Sequence, residues 1–163
     1  MKRLHIHVRA ADLLASKQFY TALFGAAPIV SKPDYVKWML DDPRINFAVS
    51  SMEGNAPGID HLGIQVESDD ELSEVNDSLR AAEQSTVAEP GAHCCYANGN
   101  KHWARDPQGV VWEMFHTMSA ATTYGDTRVE LDAAAMDAAP KSDASGTKSR
   151  LRTGLPGRRR PHQ

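Results

Sequence analysis

The chain has 163 residues, of which 41% are hydrophobic, 7% aromatic and 24% charged; that is enough apolar mass for one packed body and too little in any single run for a membrane-spanning helix. Its net charge of -3 is unevenly spread, since residues 1–118 carry 10 Lys+Arg against 16 Asp+Glu while residues 119–163 carry 8 against 5. An acidic body with no basic stripe before residue 128 argues against a nucleic-acid reader, and a start interrupted by His5, His7, Arg9 and Asp12 argues against an export signal.

The first predicted strand covers Arg3–Arg9 (RLHIHVR), where residue types alternate. Asp12 is an N-cap for a helix over Leu13–Phe24, whose expected apolar face is Leu14, Phe19, Tyr20, Leu23 and Phe24, and Gly25 is its stop. Short strands are expected at residues 28–31, 36–40 and 45–50, the last two separated by the turn sequence Asp41-Asp42-Pro43-Arg44. After a loop over residues 52–58 the order recurs. Residues 61–66 (HLGIQV) alternate, residues 69–83 read as a helix with Leu72, Val75, Leu79 and Ala82 on one face, and strands are expected at 86–89, 94–97, 101–105 and 110–117.

Asp106-Pro107-Gln108-Gly109 precedes the last strand of the second unit as Asp42-Pro43-Arg44 precedes that of the first. The reading is an α+β body of residues 1–118 built from two βαβββ modules, 1–51 and 59–118, curling around a shared metal cleft. Residues 119–163 are rich in Ala, Ser, Thr, Asp, Gly and Lys and almost free of large apolar side chains after Leu131, so they are expected to form a flexible tail.

Two histidines lie in corresponding first strands, His5 in module one and His61 in module two, and Glu113 lies in the last strand of module two between Trp112 and Met114. A glutamate among bulky apolar neighbours is unfavourable to bury unless a cation or donor neutralises it. Each residue alone is read more simply as a hydrogen-bonded or salt-bridged strand residue; together, at repeat-equivalent places, they point to a metal site. His7 shares a face with His5, so parity leaves the choice between them open. The last strand of module one offers only Asn46 and Ser50, which leaves two His and one carboxylate with open positions, a set used by non-heme iron(II) and also accepted by zinc.

The only two cysteines, Cys94 and Cys95, are adjacent and stand beside His93 and Tyr96. Neighbouring residues make a strained disulfide, so two reduced thiols in a cytoplasmic protein are expected. At a turn or strand edge both sulfurs can reach one soft ion; a buried pair of small residues is the competing reading. Lys101 is expected on a hairpin turning at Asn98-Gly99, able to close over a bound anion or to stay solvated. Trp38, Trp103, Trp112, Phe47 and Phe115 read as core or cavity wall.

These segments, RLHIHVRAADLLASKQFYTALFG, KPDYVKWMLDDPRINFAVS, PGIDHLGIQVESDDEL, HCCYANGNKHWARDPQG and VWEMFHT, resemble the vicinal-oxygen-chelate superfamily over about residues 2–125. Within it, the vicinal cysteines followed by Tyr and Ala, with Lys and Trp close behind, resemble the carbon-arsenic lyase and cadmium-induced protein branch. The resemblance implies paired βαβββ modules and a Fe(II)-dependent, O2-consuming cleavage of the carbon-arsenic bond of trivalent organoarsenicals, methyl or aromatic, to arsenite. It further implies His5, His61 and Glu113 as Fe(2+) ligands, Cys94 and Cys95 as the arsenical-binding thiols, and Lys101 as a catalytic mobile-loop residue. A cadmium- or arsenite-binding resistance protein without turnover is the alternative. The expected partners are the small arsenical and O2, with no nucleic acid and no membrane, the chain being a monomer or homodimer.

Overall fold

The computed structural model describes residues 1–51, 56–123 and 125. Its elements run β1 (Arg3–Arg9), α1 (Leu13–Phe24), β2 (Val30–Ser31), β3 (Tyr35–Asp41), β4 (Arg44–Ser50), β5 (Gly58–Val66), α2 (Asp69–Ala81), β6 (Val87–Cys94), β7 (Ala97–Arg105) and β8 (Val111–Ala120). The strands form one curled eight-stranded sheet in the order β2-β3-β4-β1-β5-β8-β7-β6. β1 pairs in parallel with β4, and β5 with β8; the two modules meet along the antiparallel pair β1 and β5. Strand, helix and three strands therefore occur twice, the two halves of the sheet order running outward from one seam.

Helix α1 starts where the Asp12 carboxylate accepts the Ala15 N–H at 2.9 Å, and it ends at Gly25, whose φ of 61° is the left-handed turn that glycine adopts without strain. Its packed face differs from the expected one. Leu13, Tyr20 and Phe24 lie against Val36, Trp38, Phe47 and Val49 of the sheet, while Leu14, Phe19 and Leu23 are exposed. Four aromatic rings meet there, Tyr20 on Phe47 with centroids 4.4 Å apart and Phe24 on Trp38 at 5.9 Å, and positions 13, 20 and 24 share one helical face that leaves 14, 19 and 23 outside it. In module two the Ser68 hydroxyl caps α2 through the Glu71 N–H, and Leu72, Val75 and Leu79 pack on Val66, Ala104 and Met114.

Several predicted bounds shift. The strand expected at 28–31 is confined to β2, and α2 closes at Ala81 before Glu83, which has a left-handed φ of 58°. Three short strands expected between residues 86 and 105 are two long ones, and the hairpin turns at Cys95-Tyr96, with φ of 55° and 62°, in place of Asn98-Gly99. Consecutive left-handed residues match the twist of a tight hairpin, which is why Asn-Gly drew the prediction. Gly99 serves packing: a Cβ there would stand 2.1 Å from the His116 carbonyl oxygen, at an irregularity of the β7–β8 ladder. β8 runs on to Ala120, past the expected end at residue 117. Of the expected tail, residue 124 and residues 126–163 lie outside the described residues, as do 52–55 of the central loop. Among the described residues no helix is long and apolar enough to cross a membrane.

Candidate functional site

Both helices cover one face of the sheet, so the alternating residues of the other face line a cleft. From β1 come His5 and His7, from β5 His61, from β8 Glu113 and Phe115, from β7 Lys101, and from β3 Tyr35 and Lys37. Alternation of residue types selects these side chains, since positions two apart share a face. In β1 the opposite parity, Ile6 and Val8, packs under α1.

His5, His7, His61 and Glu113 are all buried. His5 Nε2 lies 3.6 Å and His61 Nε2 3.3 Å from the same oxygen, Glu113 Oε2. Each ring is fixed from behind. The Nδ1 of His5 is 3.0 Å from the Asn46 carbonyl oxygen, and the Nδ1 of His61 is 2.8 Å from Asp60 Oδ2, the other oxygen of which, Oδ1, pairs with Arg9 at 3.1 Å. A carboxylate or carbonyl holding Nδ1–H turns Nε2 into an inward-facing donor atom of the kind that ligates metals. Among the described residues His61 Nε2 faces Glu113 but completes no hydrogen bond of good geometry.

His7 belongs to the same cluster: ligand nitrogens of His5, His7 and His61 lie within 4.8 Å of one another, a grouping able to hold a metal ion. Its Nε2, however, is 2.9 Å from Ser50 Oγ, and its Nδ1 is 4.0 Å from Asp60 Oδ2. The register also identifies the fourth corner. Glu113 lies opposite Gly63, two residues after His61, and Ala48 lies opposite His7, two residues after His5. Where module two supplies a carboxylate, module one supplies a methyl group.

The charges are mutually supporting. Burial alone would raise the Glu113 carboxyl, yet the Lys101 ammonium and the two imidazoles hold it well below the usual carboxylate range. Lys101 Nζ sits 2.5 Å from Glu113 Oε1; burial favours its neutral form, but Glu113 and Cys94 keep its pKa above the ordinary lysine value. Burial pushes His5 down to about 4. For His61 burial acts in the same direction, but the Asp60 and Glu113 carboxylates outweigh it and raise the group to about 9.

Cys94 and Cys95 line the same cleft, their sulfurs 2.9 Å apart. The hydrogen bond from Cys95 lowers Cys94 to about 7 against the effect of burial, and Cys95 is raised correspondingly. Lys101, expected on a mobile hairpin, lies inside β7, buried between Glu113 and the Trp103 ring, with its Nζ 5.5 Å from the centroid. The turn slipped toward the cysteines, and Lys101 moved with it into the ladder opposite Phe115. The sequence reading missed Asp60, Lys37 and Ala48. Asp60 was detectable as the neighbour of His61, and Lys37 by its even spacing from Tyr35; the role of Ala48 needed the register.

The family model described as the Glyoxalase/Bleomycin resistance protein/Dioxygenase superfamily matches residues 2–114. The chain is 40% identical over 121 residues to a protein of Bacillus sp. (strain MD1) named trivalent organoarsenical cleaving enzyme, covering 72% of this chain and 74% of that one. It is 30% identical over 125 residues to the cadmium-induced protein CadI of Mycobacterium bovis, covering 77% and 82%. The fold is similar to that of the Mn(II)-bound glyoxalase from Novosphingobium aromaticivorans, with a TM-score of 0.52, 16% identity and coverage of 78% of this chain and 44% of that one.

Proposed function

The chain belongs to the Glyoxalase/Bleomycin resistance protein/Dioxygenase superfamily, and from that membership we propose that it breaks the carbon-arsenic bond of trivalent organoarsenicals, with His5, His61 and Glu113 holding iron(II) and Cys94 and Cys95 holding arsenic. One observation carries the reading: a dithiol and a His, His, carboxylate set open into a single cleft, joined by Lys101, which pairs with Glu113 and acts electrostatically on Cys94. Sequestering a soft ion calls for sulfur alone and gives no reason for the second set. The relatives named as organoarsenical cleaving enzymes support the same substrate class.

The donor set fits iron. Two imidazole nitrogens and one carboxylate converge, the buried Nε2 of His61 completes no hydrogen bond of good geometry among the described residues, and the alanine at the fourth corner supplies no ligand atom. His5 is preferred to His7 because its Nε2 faces Glu113, whereas that of His7 is engaged by Ser50. Iron(II) held there would supply the redox chemistry that lets O2 react at the carbon bonded to arsenic.

The remaining work belongs to the chain. A trivalent arsenical carrying one organic group has two exchangeable hydroxides. The Cys94 thiolate displaces one and the Cys95 thiol the other, so that two arsenic-sulfur bonds form and both hydroxides leave as water, one with the Cys95 proton and the other with a proton taken from solvent. Arsenic is thereby fixed on the hairpin tip, and the carbon it carries is turned toward the histidines, which gives the proximity that a two-component reaction needs. Lys101 keeps Glu113 ionised and in place.

The test is anaerobic reconstitution with Fe(II), addition of a trivalent methyl- or phenyl-arsenical, and exposure to air, with arsenite measured by speciation. Arsenite release is expected from wild type, and loss of iron and release from His61→Ala, Glu113→Ala and His5→Ala. Bound arsenical without any arsenite would leave the sequestering reading, which the similarity to a cadmium-induced protein favours. Iron lost in His7→Ala and kept in His5→Ala would reverse the choice between the two histidines.

A further inference from the structure

Two lysines enter the cleft, and only one is neutralised by a carboxylate. Lys101 is paired with Glu113, whereas Lys37, on β3 in the opposite module, has no carboxylate within ion-pair distance among the described residues. Burial lowers its pKa, partly offset by Cys95, so an ammonium that has given up much of its water lines a wall of the same cavity. Such a cation gains more from an arriving anion than a solvated lysine does.

Its position in the sheet fixes what it can reach. Lys37 stands opposite Ala48, Ala48 opposite His7, and His7 opposite His61, all on the cleft face. Trp103 holds the equivalent place in module two, opposite Glu113. Ala48 ends at Cβ, so no side chain longer than a methyl group stands in this row between Lys37 and His7. Lys37, with the Tyr35 and Phe115 rings, therefore lines the same cleft as the histidines and the two thiols.

We propose that Lys37 selects the organic part of the substrate by pairing with an acidic substituent, a carboxylate or phenolate, on the group bonded to arsenic. This rests on the reading that Cys94 and Cys95 hold arsenic. With arsenic fixed at the hairpin tip and its carbon at the histidines, the rest of an aryl group extends along the cleft wall, where its acidic substituent meets Lys37. A methyl group ends before that point and is indifferent to Lys37.

The experiment is anaerobic titration of the reduced full-length protein with phenylarsine oxide and with 4-carboxyphenylarsine oxide, followed by tryptophan quenching, which reads binding independently of iron and turnover. Lys37→Met should weaken the carboxylated compound about tenfold and leave the phenyl compound within about twofold, the scale of one charge-assisted hydrogen bond. Lys37→Arg, which stays charged, should restore most of the difference. Equal weakening of both ligands would make Lys37 a partner of the thiols, and no weakening of either would remove it from the site; each result overturns the proposal. Wild-type protein that binds neither compound would overturn the dithiol reading and the proposal together, and that failure shows in the wild-type curves alone. Binding of the phenyl compound also reports whether each variant has folded.

Discussion

Two sulfurs 2.9 Å apart share a proton, because the thiol that keeps its hydrogen donates it to the one that has lost it. The consequence is a thiolate at Cys94 near neutral pH, with a pKa of about 7, reinforced by the Lys101 ammonium. The anion is the nucleophile, so alkylation of Cys94 should be nearly pH-independent above that value and slow about tenfold per unit below it. Rates that climb only above pH 8 would mean an ordinary cysteine. Cys94→Ser or Cys95→Ser should each weaken arsenical binding about a hundredfold or more, the advantage of a second bond already tethered beside the first, while iron content stays constant. Parallel loss of iron and arsenical would point to one mixed site.

The β6–β7 hairpin carries those thiols in a conformation that ordinary residues avoid, since Cys95 and Tyr96 both have positive φ. Three contacts hold it. The Tyr96 hydroxyl donates to Asp34 Oδ1 at 2.7 Å across the cleft, the Ala121 N–H donates to the Tyr96 carbonyl at 2.7 Å, and the Cys95 N–H donates to the Gly125 carbonyl at 3.1 Å. Gly125 fits because it has no Cβ: one would lie 2.1 Å from the His93 carbonyl oxygen. Gly125→Ala is therefore expected to destabilise the protein by about 1–3 kcal/mol, the range for overpacking, and to weaken arsenical capture with it. Urea unfolding together with the titration checks both. Unchanged stability and unchanged capture would mean that this segment does not brace the turn.

Across the whole molecule the duplication supplies a scaffold and its asymmetry supplies the site. Both modules build the same four strands and helix, but Glu113 corresponds to Ala48 and Trp103 to Lys37, so a symmetric frame encloses an unsymmetric cleft. Every described contact that supports the cleft comes from residues up to 125. We expect a chain ending at residue 126 to keep its unfolding free energy within about 0.5 kcal/mol, the scale of surface changes, and to capture arsenicals as the full chain does. A truncated protein that unfolds, or that loses capture, would give the last 37 residues of the 163 a structural role.

The sequence alone determined the features that depend on neighbours in the chain. Strand β1 and helix α1 were legible to the residue because alternation, an Asp12 cap and a Gly25 stop are local signals, and the second module was legible as a repeat of the first. His5, His61, Glu113 and the two cysteines stood out by residue type and by their places in that repeat. What needed tertiary structure depends on register and on packing between modules. Asn98-Gly99 has better turn chemistry than Cys95-Tyr96, but the turn forms where Asp34, Ala121 and Gly125 grip it, so long-range contacts override local preference. The same slip carries Lys101 out of a loop and onto Glu113. His5 and His7 have one parity and cannot be separated by period two; they differ only through what lies across the sheet, Glu113 for one and Ser50 for the other. Lys37 meets the cleft because β3 lies two strands from β1, a neighbour relation no local pattern encodes.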